Sequence, residues 1–183
     1  MARTADCAPE DVVAGDLVLY NNQPGTVWGP EGEFVSAPRL DDLACVFACT
    51  EGFLTAQERD MVPVLCVFDN EEIGSETKQG AASVFLPETL AAISEALGLS
   101  AADHRALLAD SMMLSCDNGH ARHPNHPELA DTNEAPVPNG GVVVKHSPRY
   151  ATDGVSAAVF TELCRRAEVP VPLVTTFWSM LFM

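Results

Sequence analysis

The continuous apolar segment Val62–Phe68 (VPVLCVF) constrains this 183-residue chain more than any other feature. It contains no charged or hydrogen-bonding side chain, and the polar pair Asp69-Asn70 follows it directly. A strand with one face in water alternates polar and apolar residues, whereas a strand buried on both faces does not. The segment therefore predicts a strand inside a sheet that is covered on both sides.

Shorter apolar runs repeat this pattern, and segments with helical spacing lie between them. The further predicted strands are Met112–Cys116, Gly141–Lys145 and Val171–Phe177, with Leu17–Tyr20 as an additional candidate. The predicted helices are Asp42–Leu54, Glu88–Leu97, and a segment that Thr152 or Asp153 caps and that runs to about Glu168. Residues 118–140, rich in Asn, His and Pro, predict a long loop. Strands that alternate with helices predict the α/β class, with a mostly parallel (mixed) sheet flanked by helices.

The charge of the chain excludes two classes of partner. Asp and Glu total 26 against 10 Lys and Arg, which gives a net charge of −16. Such a surface repels nucleic-acid phosphates and anionic lipid, so we expect neither nucleic acid nor a membrane as a partner. The first fifteen residues lack the apolar core of a signal peptide, and no apolar run reaches the roughly 20 residues of a membrane span. With no CxxC pair among six cysteines, we expect reduced, mostly buried thiols and a cytoplasmic protein.

Acidic residues lie at three places where a predicted strand ends. Asp41 precedes a helix, Glu71 and Glu72 follow the buried strand, and Asp117 follows Met112–Cys116. Ligands of open α/β sheets collect at the carboxyl ends of strands, and clustered carboxylates bind divalent cations. Each position has a simpler interpretation as well: Asp41 or Asp42 as a helix cap, and the other acidic residues as parts of solvent-exposed turns. Glu71 and Glu72 are adjacent, so they point in different directions and can have different roles, one binding metal and one moving protons.

Three histidines, His120, His123 and His126, follow at three-residue spacing. Pro124 and Pro127 prevent the regular helix that would turn this spacing into a zinc site. We therefore expect no tri-histidine zinc centre here, although one of these residues can contact substrate. His104 lies in a polar helical segment, where we expect it to be exposed.

Five strings occur in the order found in one known family. They are SAPRLDDL (36–43), FDNEEIGSE (68–76), QGAAS (79–83), DNGHARHPN (117–125) and RYATD (149–153). Together they resemble the aspartyl aminopeptidase-like family M18 of metallo-aminopeptidases. The resemblance extends from about residue 10 to about residue 174.

The resemblance implies a hydrolase that removes N-terminal residues from peptides by using two divalent cations, usually zinc. Under it, Asp41 bridges the two ions, Glu72 binds one and Asp117 binds the other. Glu71 acts as the general base. His120, Lys145 and Tyr150 contact the substrate or the tetrahedral intermediate.

The family's two histidine ligands have no counterpart here. There is no histidine before His104, and the second ligand would lie beyond the end of the sequence. The resemblance therefore implies a central fragment that lacks the N-terminal part and the C-terminal end. Residues 1–30 would be the remnant of an inserted oligomerisation domain, and residues 31–183 a partial catalytic domain. We expect weak metal binding and slow or absent turnover from the isolated chain, since each ion would lack ligands.

Two interpretations follow. In the first, the chain is an M18-type aminopeptidase, or part of one, that acts on peptides and can form homo-oligomers. In the second, it is a non-catalytic or degenerate subunit that keeps the peptidase fold for assembly.

Overall fold

The protein is described by a computed structural model over residues 2–57, 60–131, 135–147 and 150–171. The chain divides into two compact units, Met1–Cys116 and Asp117–Met183. None of the described helices is long and apolar enough to cross a membrane.

The first unit begins with the short helix α1 (Ala2–Ala5) and continues to a β-hairpin. Strand β1 (Thr26–Trp28) pairs antiparallel with β2 (Phe34–Ser36), with Val27 opposite Val35. The Trp28 ring stacks on Phe34 with 4.6 Å between ring centroids, and Trp28 Nε1 donates to Ser36 Oγ at 2.7 Å. These cross-strand contacts fix the register of the hairpin, which ends five residues before Asp41.

Helix α2 (Leu40–Thr55) confirms the predicted helix Asp42–Leu54. Its first residues are irregular: Arg39 is left-handed at φ 62°, and Asp41 and Asp42 have non-helical backbone angles. Regular helix therefore begins at Leu43, and the two aspartates lie on the irregular entry to the helix.

Helices α3 (Phe85–Ala96) and α4 (Ala101–Ala109) form a helical hairpin. Helix α3 confirms the predicted segment Glu88–Leu97, and Ser100 caps α4 by accepting from Asp103 N–H. The buried Ser94 Oγ lies 2.9 Å from His104 Nδ1. The expectation that His104 is exposed is therefore wrong, because this hydrogen bond between the helices holds its ring half-buried.

The predicted parallel strands are not seen as strands. Among the described residues the β1–β2 hairpin is the sole sheet, and Leu17–Tyr20, Val62–Phe68, Met112–Cys116 and Gly141–Lys145 have no ladder partner. Val142 N–H does donate to the Pro170 carbonyl at 2.9 Å, directly before the predicted strand Val171–Phe177. That last strand lies outside the described residues from position 172 onward. Apolar patterning reports a tendency to burial, whereas a strand also requires a neighbour in register, so the mostly parallel sheet stays a prediction.

The second unit contains the predicted long loop and one helix. The described part of residues 118–140 has no element beyond the 3₁₀ turn Pro127–Leu129, which confirms the loop. Helix α5 (Gly154–Arg166) is the predicted C-terminal helix, and Asp153 is its cap: Oδ1 accepts from Val155 N–H at 3.1 Å and from Ser156 N–H at 2.8 Å.

The Asp153 cap makes the stability of α5 depend on pH. Hydrogen bonds from Ser156 N–H and hydroxyl hold the pKa of Asp153 below its usual range. Because the pKa is lower in the folded state, the ionised carboxylate stabilises the fold at every pH above the unfolded-state pKa of about 3.9. This stabilisation is lost as the pH falls from that value through the folded-state pKa. We expect Asp153→Asn, which keeps Oδ1 as an acceptor but cannot be protonated, to lose less helix than the wild type between pH 5 and pH 2. Circular dichroism during acid titration measures this; parallel losses in both proteins would contradict it.

Few apolar side chains are buried within the described residues. All six cysteines are free, but only Cys164 is fully buried, so the expectation of mostly buried thiols is wrong. Large apolar side chains along the first unit stay in contact with solvent, among them Val13 at 93%, Leu17 at 81% and Val62 at 88% exposure.

Candidate metal centre

Asp41 and Asp42 place two carboxylates side by side at the entry to α2. Their peptide bond is cis, and carboxylate oxygens of the two residues lie within 4.8 Å of each other. Asp42 Oδ1 is buried and has no hydrogen-bond partner among the described residues. A buried, unpartnered carboxylate oxygen is costly unless a cation compensates it. The pair therefore has the chemistry of a cation site, and Asp42 is a participant that the sequence reasoning mentioned only as a helix cap.

Cys45 and Cys116 lie near Asp42, and Cys49 lies beside both of these cysteines. Burial, then a hydrogen bond with Asp42 and its negative charge, raises the pKa of Cys45 to about 12. Burial and the neighbouring Cys49 raise the pKa of Cys116 to about 11. Thiolate is the form of cysteine that binds zinc or attacks substrates, and the raised pKa values disfavour this form at Cys45 and Cys116. The carboxylates of Asp41 and Asp42 are the candidate ligands. The i, i+4 spacing of Cys45 and Cys49 on a helix was the available signal for this cluster.

Glu71 and Glu72 lie on a 3₁₀ turn, Glu71–Ile73, which follows the apolar segment Val62–Phe68. Left-handed Asn70 (φ 62°) begins the turn and Gly74 (φ 93°) ends it. Both glutamates are exposed, in keeping with a solvent-exposed turn. Among the described residues, neither joins Asp41 and Asp42 in a set of donor atoms that all lie within 4.8 Å of one another.

Hydrogen bonds close the segment that carries the two glutamates. Asp69 N–H donates to the Gln79 carbonyl at 3.1 Å, Ala82 N–H donates to the Ser75 carbonyl at 3.1 Å, and Asn70 Nδ2 donates to Thr77 Oγ1 at 2.9 Å. Gly80 is buried inside this loop, and a Cβ there would collide with the backbone of Ser75. The loop geometry therefore requires glycine at position 80.

Gly80→Ala is expected to destabilise the first unit by about 1–3 kcal/mol, since backbone must move to admit the methyl group. Urea denaturation measures the change. Gly52→Ala is the matched control: it lies in α2 with no atom within 4 Å of its Cβ position, and it should be stabilising by roughly 0.5–1 kcal/mol. Equal effects of the two substitutions would contradict the assignment of a special role to Gly80.

In the second unit, Asp117 forms an ion pair with Lys145. Lys145 Nζ donates to Asp117 Oδ2 at 2.7 Å and to the Asn118 carbonyl at 2.9 Å. Residues 111–123 contain no turn, so the simpler interpretation of Asp117 as a turn residue does not hold. A Cβ atom added at Gly119 would lie 3.7 Å from the Val143 side chain. The chain after Asp117 therefore lies alongside the segment that carries Lys145.

The other candidate residues of the second unit lie at separate positions along its chain. His120 is exposed, and Tyr150 is 41% exposed with its N–H donating to the Ser147 carbonyl. His123 and His126 have ring centroids 5.4 Å apart, and His126 Nδ1 lies 3.1 Å from Glu128 Oε1. Among the described residues, these histidines form no set of three with donor atoms within 4.8 Å of one another.

A family model described as "Aminopeptidase I zinc metalloprotease (M18)" matches residues 1–176. The chain belongs to the M18 family of zinc metalloproteases. The resemblance carried by the five motifs is thereby confirmed, and the members of the M18 family are hydrolases.

Relatives in the M18 family are similar along most of this chain. The probable M18 family aminopeptidase 2 of Clostridium novyi is 40% identical over 173 residues, which cover 93% of this chain and 40% of that protein. The aspartyl aminopeptidase of Caenorhabditis elegans is 34% identical over 182 residues, covering 95% and 38%. The chain thus spans about two-fifths of the length of these curated relatives.

A solved structure, the S. cerevisiae mApe1 dodecamer, superposes with a TM-score of 0.72 at 34% identity. The superposition covers 84% of this chain and 37% of that one. This similarity supports the predicted α/β class, as an α/β peptidase fold.

The residues present fit the zinc that the M18 family implies. Zinc accepts carboxylate oxygens as ligands, and Asp42 Oδ1 beside Asp41 is a buried oxygen that a cation would satisfy.

Proposed function

We propose that this chain acts as a zinc-dependent M18 aminopeptidase, or as the part of one that carries its acidic ligands and base. The family match across residues 1–176 carries this proposal. The carboxylates that the motifs single out, Asp41, Glu71, Glu72 and Asp117, are all present at described positions.

Under this proposal Asp41, Glu72 and Asp117 would hold the zinc, with Asp41 assigned to both ions of a two-ion site. Bound zinc would supply Lewis acidity, which polarises the scissile carbonyl and makes water a better nucleophile at neutral pH. The irregular backbone at Asp41 places it before the first regular turn of α2, and the turn at Glu71–Ile73 presents both glutamates at the surface.

Glu71 takes the proton of the attacking water and delivers it to the leaving amine. A carboxylate that is not itself a ligand can do this because it keeps its lone pairs for the proton. His120, Lys145 and Tyr150 contact the peptide substrate. Residues 1–30 are assigned to the remnant of the oligomerisation domain and residues 31–183 to the partial catalytic domain, in a cytoplasmic protein.

One observation favours the second candidate, a subunit that keeps the fold for assembly. Apolar side chains such as Val13, Leu17 and Val62 are more than four-fifths exposed, and monomers rarely expose large apolar patches. A solved relative is titled a dodecamer, so we propose homo-oligomer formation for this chain as well.

The decisive experiment measures release of N-terminal residues from dipeptides, and from a chromogenic amide, with added zinc, manganese or cobalt. The aminopeptidase proposal predicts slow turnover that chelation removes and metal restores. Metal-independent turnover would contradict the mechanism. No turnover with every metal, together with oligomers on size-exclusion chromatography, would favour the assembly subunit.

A further inference from the structure

Lys145 reaches across 28 positions of sequence to the acidic residue that the M18 motif assigns to zinc. Its ammonium bonds two adjacent residues at once, the Asp117 carboxylate and the Asn118 carbonyl. One ammonium therefore ties a side chain to the backbone beside it. This contact restricts rotation of the Asp117 carboxylate and commits Oδ2 to the lysine.

Among the lysine and arginine ion pairs of the described residues, the cation is best shielded from water at Lys145. The Lys145 side chain is 25% exposed, whereas Arg165 and Arg166 on α5 are 71% and 70% exposed; the acidic partners are alike, with Asp117 at 44% and Glu162 at 41%. Ion pairs at exposed sites are weakened by solvent, and partial burial preserves them. Lys145 engages Asp117 Oδ2, so Oδ1 is the carboxylate oxygen left for a cation.

We propose that Lys145 is a positioning residue: by holding Asp117 Oδ2, it orients Oδ1 toward a divalent cation. The inference rests on the proposed function, since it takes Asp117 to be a zinc ligand. Two of the three ammonium N–H groups are used, which leaves the third for the substrate contact assigned to Lys145 by the motif.

Two opposing effects determine whether zinc affinity rises or falls when Lys145 is replaced. The ammonium repels a nearby dication, but solvent around the half-exposed Asp117 screens that repulsion. Hydrogen-bond partners that orient a ligating side chain are typically worth 10–100-fold in metal affinity. Orientation outweighs repulsion here, so losing the ammonium weakens zinc binding.

The first arm of the test measures zinc affinity of the full chain by competition with a chromogenic chelator. Lys145→Met keeps the length of the side chain but removes its donors, and should weaken zinc binding by about 10–100-fold. Lys145→Arg keeps donors and charge and should fall between Lys145→Met and the wild type. Lys78, the chain's other lysine, is exposed, so Lys78→Met is the matched control and should leave affinity unchanged.

The second arm needs no metal. Trace labelling of the chelator-treated protein with acetic anhydride, followed by peptide mass spectrometry, compares the two lysines within one sample. Lys145 should react several-fold more slowly than Lys78, and Asp117→Asn should bring the two rates closer together.

Each result decides the proposal. Slow Lys145 labelling that Asp117→Asn relieves, with weaker zinc binding by Lys145→Met, supports it. If Lys145 is labelled at the same rate in Asp117→Asn as in the wild type, the ion pair between Lys145 and Asp117 is overturned. Relieved labelling with equal or tighter zinc binding by Lys145→Met overturns the positioning role alone. A wild-type chain that binds no zinc overturns both the proposed function and the positioning role. The labelling arm then shows separately whether the ion pair between Lys145 and Asp117 exists.

Discussion

Glu71→Gln is expected to lower metal-dependent aminopeptidase activity by at least about 100-fold, the usual contribution of a general base. The amide has the shape of the carboxylate but cannot accept the proton of the attacking water. Since turnover by the wild-type chain is expected to be slow, a fluorogenic amide at high enzyme concentration gives the required range. Zinc content should stay at the wild-type level, because Glu71 is not proposed as a ligand.

Glu76→Gln is the control for Glu71→Gln. Glu76 is an exposed glutamate in the same loop, five positions along, and the substitution removes the same charge. It should change activity less than about two-fold, as surface substitutions away from a site generally do. If both variants lose activity equally, the effect is one of local charge and Glu71 is not the base.

Zinc is expected to stabilise the wild-type chain, and Asp41→Asn is expected to remove most of that stabilisation. A ligand at 100 times its Kd that binds only the folded state adds about 2.7 kcal/mol. For a chain of this size that raises Tm by roughly 5–10 °C. Asp41 is the proposed ligand shared by both ions, so its loss disturbs both. Differential scanning fluorimetry with and without zinc measures the shift.

Asp16→Asn serves as the control for Asp41→Asn, since Asp16 is an exposed aspartate of the same unit. Its zinc-dependent shift should equal that of the wild type, and chelator should reverse the shift in both proteins. A full zinc-dependent shift in Asp41→Asn would remove Asp41 from the metal site.

The helices were predictable because their signals are local. The apolar periodicity of residues 42–54, the Pro87 position in α3 and the cap at Asp153 act within one or two turns, and all three helices form there. The irregular entry to α2 was not predictable, because the left-handed Arg39 and non-helical Asp41 and Asp42 follow no capping pattern. The mostly parallel sheet stays a prediction, because the apolar pattern of Val62–Phe68 indicates a tendency to burial but not the neighbour with which a strand would pair.

The sequence by itself determined the family of this protein: five ordered motifs indicated M18, and they named Asp41, Glu71, Glu72 and Asp117 as candidate site residues. Such motifs are readable because each is a short run whose residue types are set by the reaction. Only the tertiary structure decided that Lys145 bonds Asp117, that His104 bonds Ser94, and that Asp42 carries a buried oxygen with no partner among the described residues. The two hydrogen bonds join residues 28 and 10 positions apart, and their geometry depends on packing that no short run of residues encodes.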